Sequence, residues 1–220
     1  MMKKPKARKP RSKTNSTADV SLKSQLLEAA LPDVAFDGWT DELLSRAAAR
    51  LNLSPDALAE ILPGGVEELA RHLSAWADEK TLAKMPAAKM EKLRMRDRIT
   101  LGVTARLEVL APYKAATGSA LAYLAKPPRG RHLPKMVWST ADAIWRRAGD
   151  TATDYNHYTK RLLLSGVLTS TILFWLNDDS EGYARTLKFL DQRIDNVLKI
   201  GGLMAKAKNK VGAKAPDKNA

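Results

Sequence analysis

A chain of 220 residues is long enough for one compact domain with a sizeable core, or for a small domain joined to a larger one. It has no cysteine, which excludes disulfides, thiolate zinc sites and cysteine nucleophiles, and its three histidines (His72, His132, His157) are too few for a conventional multi-histidine metal site. The formal charge is +13, but residues 1–18 carry +7 of it and residues 205–220 carry +4, which leaves residues 19–204 nearly neutral at +2.

Both basic arms contain proline and few apolar residues, so residues 1–18 and 205–220 are expected to be disordered and to attract anionic lipid or nucleic acid weakly, with a strong salt dependence. The N-terminal arm lacks the apolar face of a mitochondrial transit peptide, and no segment reads as a signal peptide.

From residue 19 the apolar residues recur at helical spacing. Leu22, Leu26, Leu27 and Ala30 mark a first helix. Thr40 caps a second that carries Leu43, Leu44 and Ala47 on one face. Ser54 followed by Pro55 starts a short third helix, since proline suits the first helical position. A fourth begins after Pro63-Gly64-Gly65, a fifth covers 87–110 and a sixth covers 112–125. The seventh, 134–148, is stopped by Gly149. Thr151 and Asp154 fit an N-terminal capping pair for the eighth, 153–176, and the ninth runs from Ser180 to Gly201-Gly202. The 15-residue run from Leu162 to Leu176 is too short to span a bilayer, which takes ~20 apolar residues. Apolar on nearly every side, that helix is expected at the centre of a bundle. With no alternating strand pattern, the predicted fold is all-α, with about nine helices. Residues 19–80 form a helix-turn-helix-like unit and residues 81–204 a larger helical domain, long enough for a bundle that encloses a pocket.

The helix-turn-helix layout resembles TetR-type regulators, yet the helix that would enter the major groove, "SPDALAEIL", offers Asp56 and Glu60 and no basic residue. Groove contacts need Arg and Lys, and two carboxylates facing phosphate repel it, so nucleic acid is not an expected partner.

The densest set of polar side chains is "AGDTATDYNHYTKR", from Ala148 to Arg161. Asp154 and His157 are spaced as a carboxylate–histidine ligand pair. A di-iron bundle needs that pair twice, and Arg129 and Leu69 stand three residues before His132 and His72. No metal, cofactor or catalytic group is therefore assigned. Asp150 and Asp154 suit a helix N-terminus, and His157 and Tyr158 beside them make a mixed polar–aromatic cluster of the kind that docks a protein partner.

The motifs "AGD", "TDYN", "YTKR", "STILFWLNDDS" and "FLDQRIDNV", within Trp138 to Val197, resemble the coenzyme Q nine family of ubiquinone biosynthesis. That resemblance implies a TetR-like fold and a non-catalytic homodimer. It implies a protein that binds a polyprenylated quinone or other isoprenoid lipid and assists the di-iron demethoxyubiquinone hydroxylase. It also implies a docking patch carried onto Gly149, Asp150, Asp154, His157, Tyr158 and Arg161. Two departures are visible: His157 replaces the aromatic residue usual in the family, and a short Lys-rich tail replaces a longer membrane-contacting helix after Gly201-Gly202. The apolar lining is assigned to Trp138, Trp145, Leu163, Val167, Ile172 and Trp175. The expected location is cytoplasmic, peripheral at the inner face of a bacterial membrane. The alternative function is a TetR-type transcriptional regulator with a small-molecule pocket.

Overall fold

The computed structural model describes residues 13–153 and 155–212. Among them are ten α-helices, three short 3-10 turns and no strand. The helices are α1 (Lys13–Asp37), α2 (Asp41–Arg50), α3 (Pro55–Ile61), α4 (Gly65–Ala83), α5 (Ala87–Glu91), α6 (Met95–Leu110), α7 (Lys114–Ala125), α8 (Leu133–Arg147), α9 (Tyr155–Leu176) and α10 (Ala184–Gly212). The tenth helix arises because the segment predicted as one helix over 87–110 divides: Arg94 adopts an extended conformation between α5 and α6.

The chain forms two compact units. One comprises the residues up to Trp76 together with Ala115–Arg131; the other comprises Ala77–Lys114 and the residues from His132 onward. The first therefore includes most of α7, which the sequence reading had grouped with the C-terminal part. In the first unit α1 packs on α2 and α3, burying Leu26, Leu27, Leu31 and Val34 along with Leu43 and Leu44. The predicted caps are in place. Thr40 Oγ1 accepts from the Leu43 amide and Ser54 Oγ from the Ala57 amide, each at 3.2 Å. Trp76 Nε1 donates to Glu28 on α1 at 2.9 Å.

In the second unit α9 packs against α8 and α10, and α6 packs against both α8 and α10. Their shared core contains Ile99 and Val103 of α6, Ala141 and Ile144 of α8, Leu164, Val167 and Leu168 of α9, and Leu190 and Ile194 of α10. Gly102 lets α6 and α8 come together, since a Cβ there would stand 2.7 Å from Ile144 Cγ2.

Three expectations are corrected. Helix α9 is not central: it buries Leu164, Val167, Leu168, Thr171 and Trp175, while Leu162 (66% exposed), Gly166, Thr169 and Leu173 (54%) face outward. Gly201-Gly202 does not stop α10, which continues to Gly212. A glycine inside a helix costs only about 1 kcal/mol relative to alanine, and the Ala- and Lys-rich residues that follow are good helix formers. Residues 13–18 and 205–212, expected as parts of disordered arms, lie within α1 and α10, and the remainder of both arms lies outside the described residues.

Candidate functional site: a polar cleft beside an apolar pocket

The site begins where α8 ends. Gly149 has φ +95°, a left-handed conformation that suits glycine, and it closes the helix in a Schellman turn. The Gly149 amide donates to Arg146 O and the Asp150 amide to Trp145 O, both at 3.0 Å. The Arg98 guanidinium of α6 holds the same turn by donating to Ala148 O at 2.8 Å. The turn delivers the Asp150 carboxylate into protein, where it is 3% exposed and accepts from Lys160 Nζ (2.6 Å) and Arg161 Nη1 (2.9 Å).

Arg161 is the centre of a chain of ion pairs. Its side chain, 1% exposed, donates from Nε to Asp142 at 2.6 Å and from Nη1 to both Asp150 and the His157 carbonyl. Asp142 in turn pairs with Arg146 at 2.7 Å. Burial alone would raise the Asp150 carboxyl, but the hydrogen bonds from Lys160 and Arg161 hold it below the usual carboxylate range. Burial opposes the charge on Arg161 as well, and its bonds to Asp142 and Asp150 outweigh that and raise it. The network joins α8 to the start of α9 and leaves its buried acids fully engaged.

Above it lies a cleft of 340 Å³ lined by Arg146, Asp150, Thr151, Ala152, Thr153, His157, Tyr158 and Arg161. His157 Nδ1 lies 3.0 Å from the Ala152 carbonyl, so that nitrogen carries the proton. Its ring meets Tyr158 edge-on at 5.1 Å, and Tyr158 lies 6.3 Å from the Trp138 ring. Tyr158 is 62% exposed. Of the six residues assigned to docking, His157 and Tyr158 therefore have side chains at the surface of the cleft, whereas Asp150, Arg161 and Gly149 shape that surface from within. Asp154 lies outside the described residues. Among those described, no group of three His, Asp or Glu is placed to hold a metal.

A second, mostly apolar pocket of 320 Å³ lies between α6, α8, α9 and α10. Its walls are Met95, Ile99, Trp145, Leu163, Leu164, Val167, Ile194, Val197 and Leu198, with Arg96 and Lys160 as its two cations. Trp145, Leu163 and Val167 of the predicted lining thus come together, and three residues do not join them. Trp138 faces a different cleft, with Leu82, Ser139, Asp142 and Arg146. Trp175 is fully buried against Tyr183, and Ile172 is half-buried outside the pocket. Asp142, Arg146 and Lys160 were missed among the site residues, as were the pocket walls from α6 and α10. The i, i+4 spacing of Asp142 and Arg146 was a readable signal; nothing in sequence spacing links Ile99 to Ile194.

The COQ9 family model matches residues 131–201, the stretch from the start of α8 into α10. The "Ubiquinone biosynthesis protein COQ9, mitochondrial" of Rattus norvegicus is 30% identical over 194 residues, covering 84% of this chain and 61% of its own length. The Bos taurus protein of the same name is 30% identical, with 84% and 60% covered. The "Probable ubiquinone biosynthesis protein coq9, mitochondrial" of Dictyostelium discoideum is 28% identical, with 81% and 60% covered. The chain thus spans about 60% of the length of these relatives. Their names are mitochondrial, which overturns the expectation of a cytoplasmic location at a bacterial membrane. In structure the chain is similar to a TetR transcriptional regulator from Nitrosomonas europaea, with a TM-score of 0.65 at 20% identity, over 81% of this chain and 98% of the regulator. At that identity the likeness concerns fold alone. Residues 131–201 thus match the COQ9 family model, and the chain that carries them has a TetR-like all-α fold.

Proposed function

We propose that the protein is a non-catalytic, lipid-binding accessory factor of ubiquinone biosynthesis. In this reading it works as a homodimer, holds part of a polyprenylated quinone intermediate in the pocket between α6, α8, α9 and α10, and presents it to the demethoxyubiquinone hydroxylase docked at the Tyr158 cleft. The observation that carries it is the adjacency of the two cavities: Lys160 lines the apolar pocket and pairs with Asp150, which lines the polar cleft. The names of the relatives support the pathway. A volume of 320 Å³ lies at the low end for ligand pockets, roughly 300–1,000 Å³, and suits a segment of a long lipid. Desolvating that segment would contribute about 25 cal/mol per Å² buried.

The regulator alternative is not favoured. Helix α3 has no basic residue, and the two cations of α2 are engaged within their own unit, Arg46 with Asp37 and Arg50 with Asp33.

Mass spectrometry of an organic extract of the purified protein tests the pocket; the expected result is a near-stoichiometric polyprenylated quinone precursor, and an extract free of lipid overturns that half. Docking is tested by Tyr158→Ala, expected to abolish association with the hydroxylase at an unchanged melting temperature. Association that survives the substitution removes the cleft from the reading.

A further inference from the structure

Lys160 stands between the two cavities: it lines the apolar pocket and pairs with Asp150, a wall of the polar cleft. It lines the apolar pocket beside Trp145, its backbone carbonyl accepts from Trp145 Nε1 at 3.0 Å, and its ammonium stands 5.4 Å from the centre of that indole ring. The same ammonium donates to Asp150 Oδ1 at 2.6 Å. We infer that Lys160 is a positioning residue that ties occupation of the apolar pocket to the order of the 149–153 turn, so that the loaded protein offers a better-formed docking cleft than the empty one. This rests on the lipid-binding reading of the pocket and goes beyond it by coupling the two sites.

The physical basis is the uneven exposure of the pair. The Lys160 side chain is 37% exposed, while Asp150 is 3% exposed and already out of water. With the pocket empty, solvent and salt screen the attraction from the lysine side. An apolar chain lying along the lysine stem excludes that solvent, and the attraction strengthens as the local dielectric falls. The ammonium need not leave its partner for this, because a lysine stem can follow an apolar surface while its head stays on a polar group. The desolvation cost falls mainly on one ion, because the carboxylate is already buried and keeps Arg161 as its second partner.

A fixed Asp150 carboxylate fixes the turn. Its own amide closes the Schellman turn on Trp145 O, and through Arg161 it is tied to the His157 carbonyl in the first turn of α9. The other cation of the pocket provides a comparison. Arg96 pairs with Asp191 and Asp195 on α10 and makes no bond to the 149–153 turn in the described network.

The test uses the full chain with cis-parinaric acid, a fluorescent fatty acid, as the pocket probe. Amide hydrogen exchange of residues 149–153 and the first turn of α9 is followed with and without saturating probe. Exchange there is expected to slow several-fold on loading. At matched occupancy the effect should vanish in Lys160→Met and persist in Lys160→Arg and Arg96→Met, a pattern that a merely structural lysine would not produce. Saturable binding without a change in exchange overturns the coupling and leaves the pocket reading standing, and so does an effect that survives in Lys160→Met. Absence of saturable binding overturns both.

Discussion

At Asp178 the chain turns from α9 into α10 around one buried carboxylate. Oδ1 accepts from the amide and hydroxyl of Ser180, at 3.0 and 2.7 Å, and Oδ2 from the amide and hydroxyl of Thr186, at 2.8 and 2.6 Å. Burial alone would raise this carboxyl, but the four bonds pull it well below its ordinary value of 3.8. The unfolded chain then binds the proton more tightly than the folded one. Stability from this group is fully present above pH 3.8 and is lost as pH falls through the lower folded value. Urea unfolding at a series of acid pH values should show the midpoint falling below pH 4, with a smaller pH dependence in Asp178→Asn, whose midpoint at neutral pH should also be lower. Asp150 acts in the same direction, and it shows why single residues of the site were hard to place from sequence. Its charge and spacing suit a helix start or a docking surface equally, and only the approach of Lys160 and Arg161 shows that it faces inward.

Among the elements, α9 decides the site, because its inner face supplies Arg161 and Leu164 while its outer face supplies Tyr158 and Leu162. Its start, its length and its apolar character were readable from the sequence, but a helix that is apolar all round does not reveal which face its own unit covers. Two glycines test the assignment of faces. Gly102→Ala should destabilise by about 1–3 kcal/mol, as overpacking of a filled core does, because its Cβ would overlap Ile144. Gly166 has nothing within 4 Å of a Cβ, so Gly166→Ala should stabilise the isolated chain by up to about 1 kcal/mol through helix propensity. Chemical denaturation of both variants measures the two signs. A destabilising Gly166→Ala would mean that this face is covered in solution, as a homodimer built on α9 would require.

For the whole molecule, the TetR-like fold and the +13 charge invite a nucleic-acid reading that the distribution of charge opposes. Fluorescence anisotropy with duplex DNA should show only weak association that falls steeply with salt and is unaffected by Arg46→Ala or Arg50→Ala. Sequence-selective binding that depends on either arginine would restore the regulator reading. The all-α class, the caps at Thr40 and Ser54, the stop at Gly149 and the likeness of residues 131–201 to the COQ9 family model were determined by the sequence alone, because periodicity, capping and turn chemistry act between residues close in the chain. The pocket walls drawn from four helices, the burial of Asp150 and Arg161, the separation of Trp138 and Trp175 from Trp145, and the place of Lys160 between the apolar pocket and Asp150 of the polar cleft were decided only by tertiary structure. Each depends on which helix faces approach one another, and that is set by packing between residues up to ~100 positions apart, a distance at which local spacing carries no information.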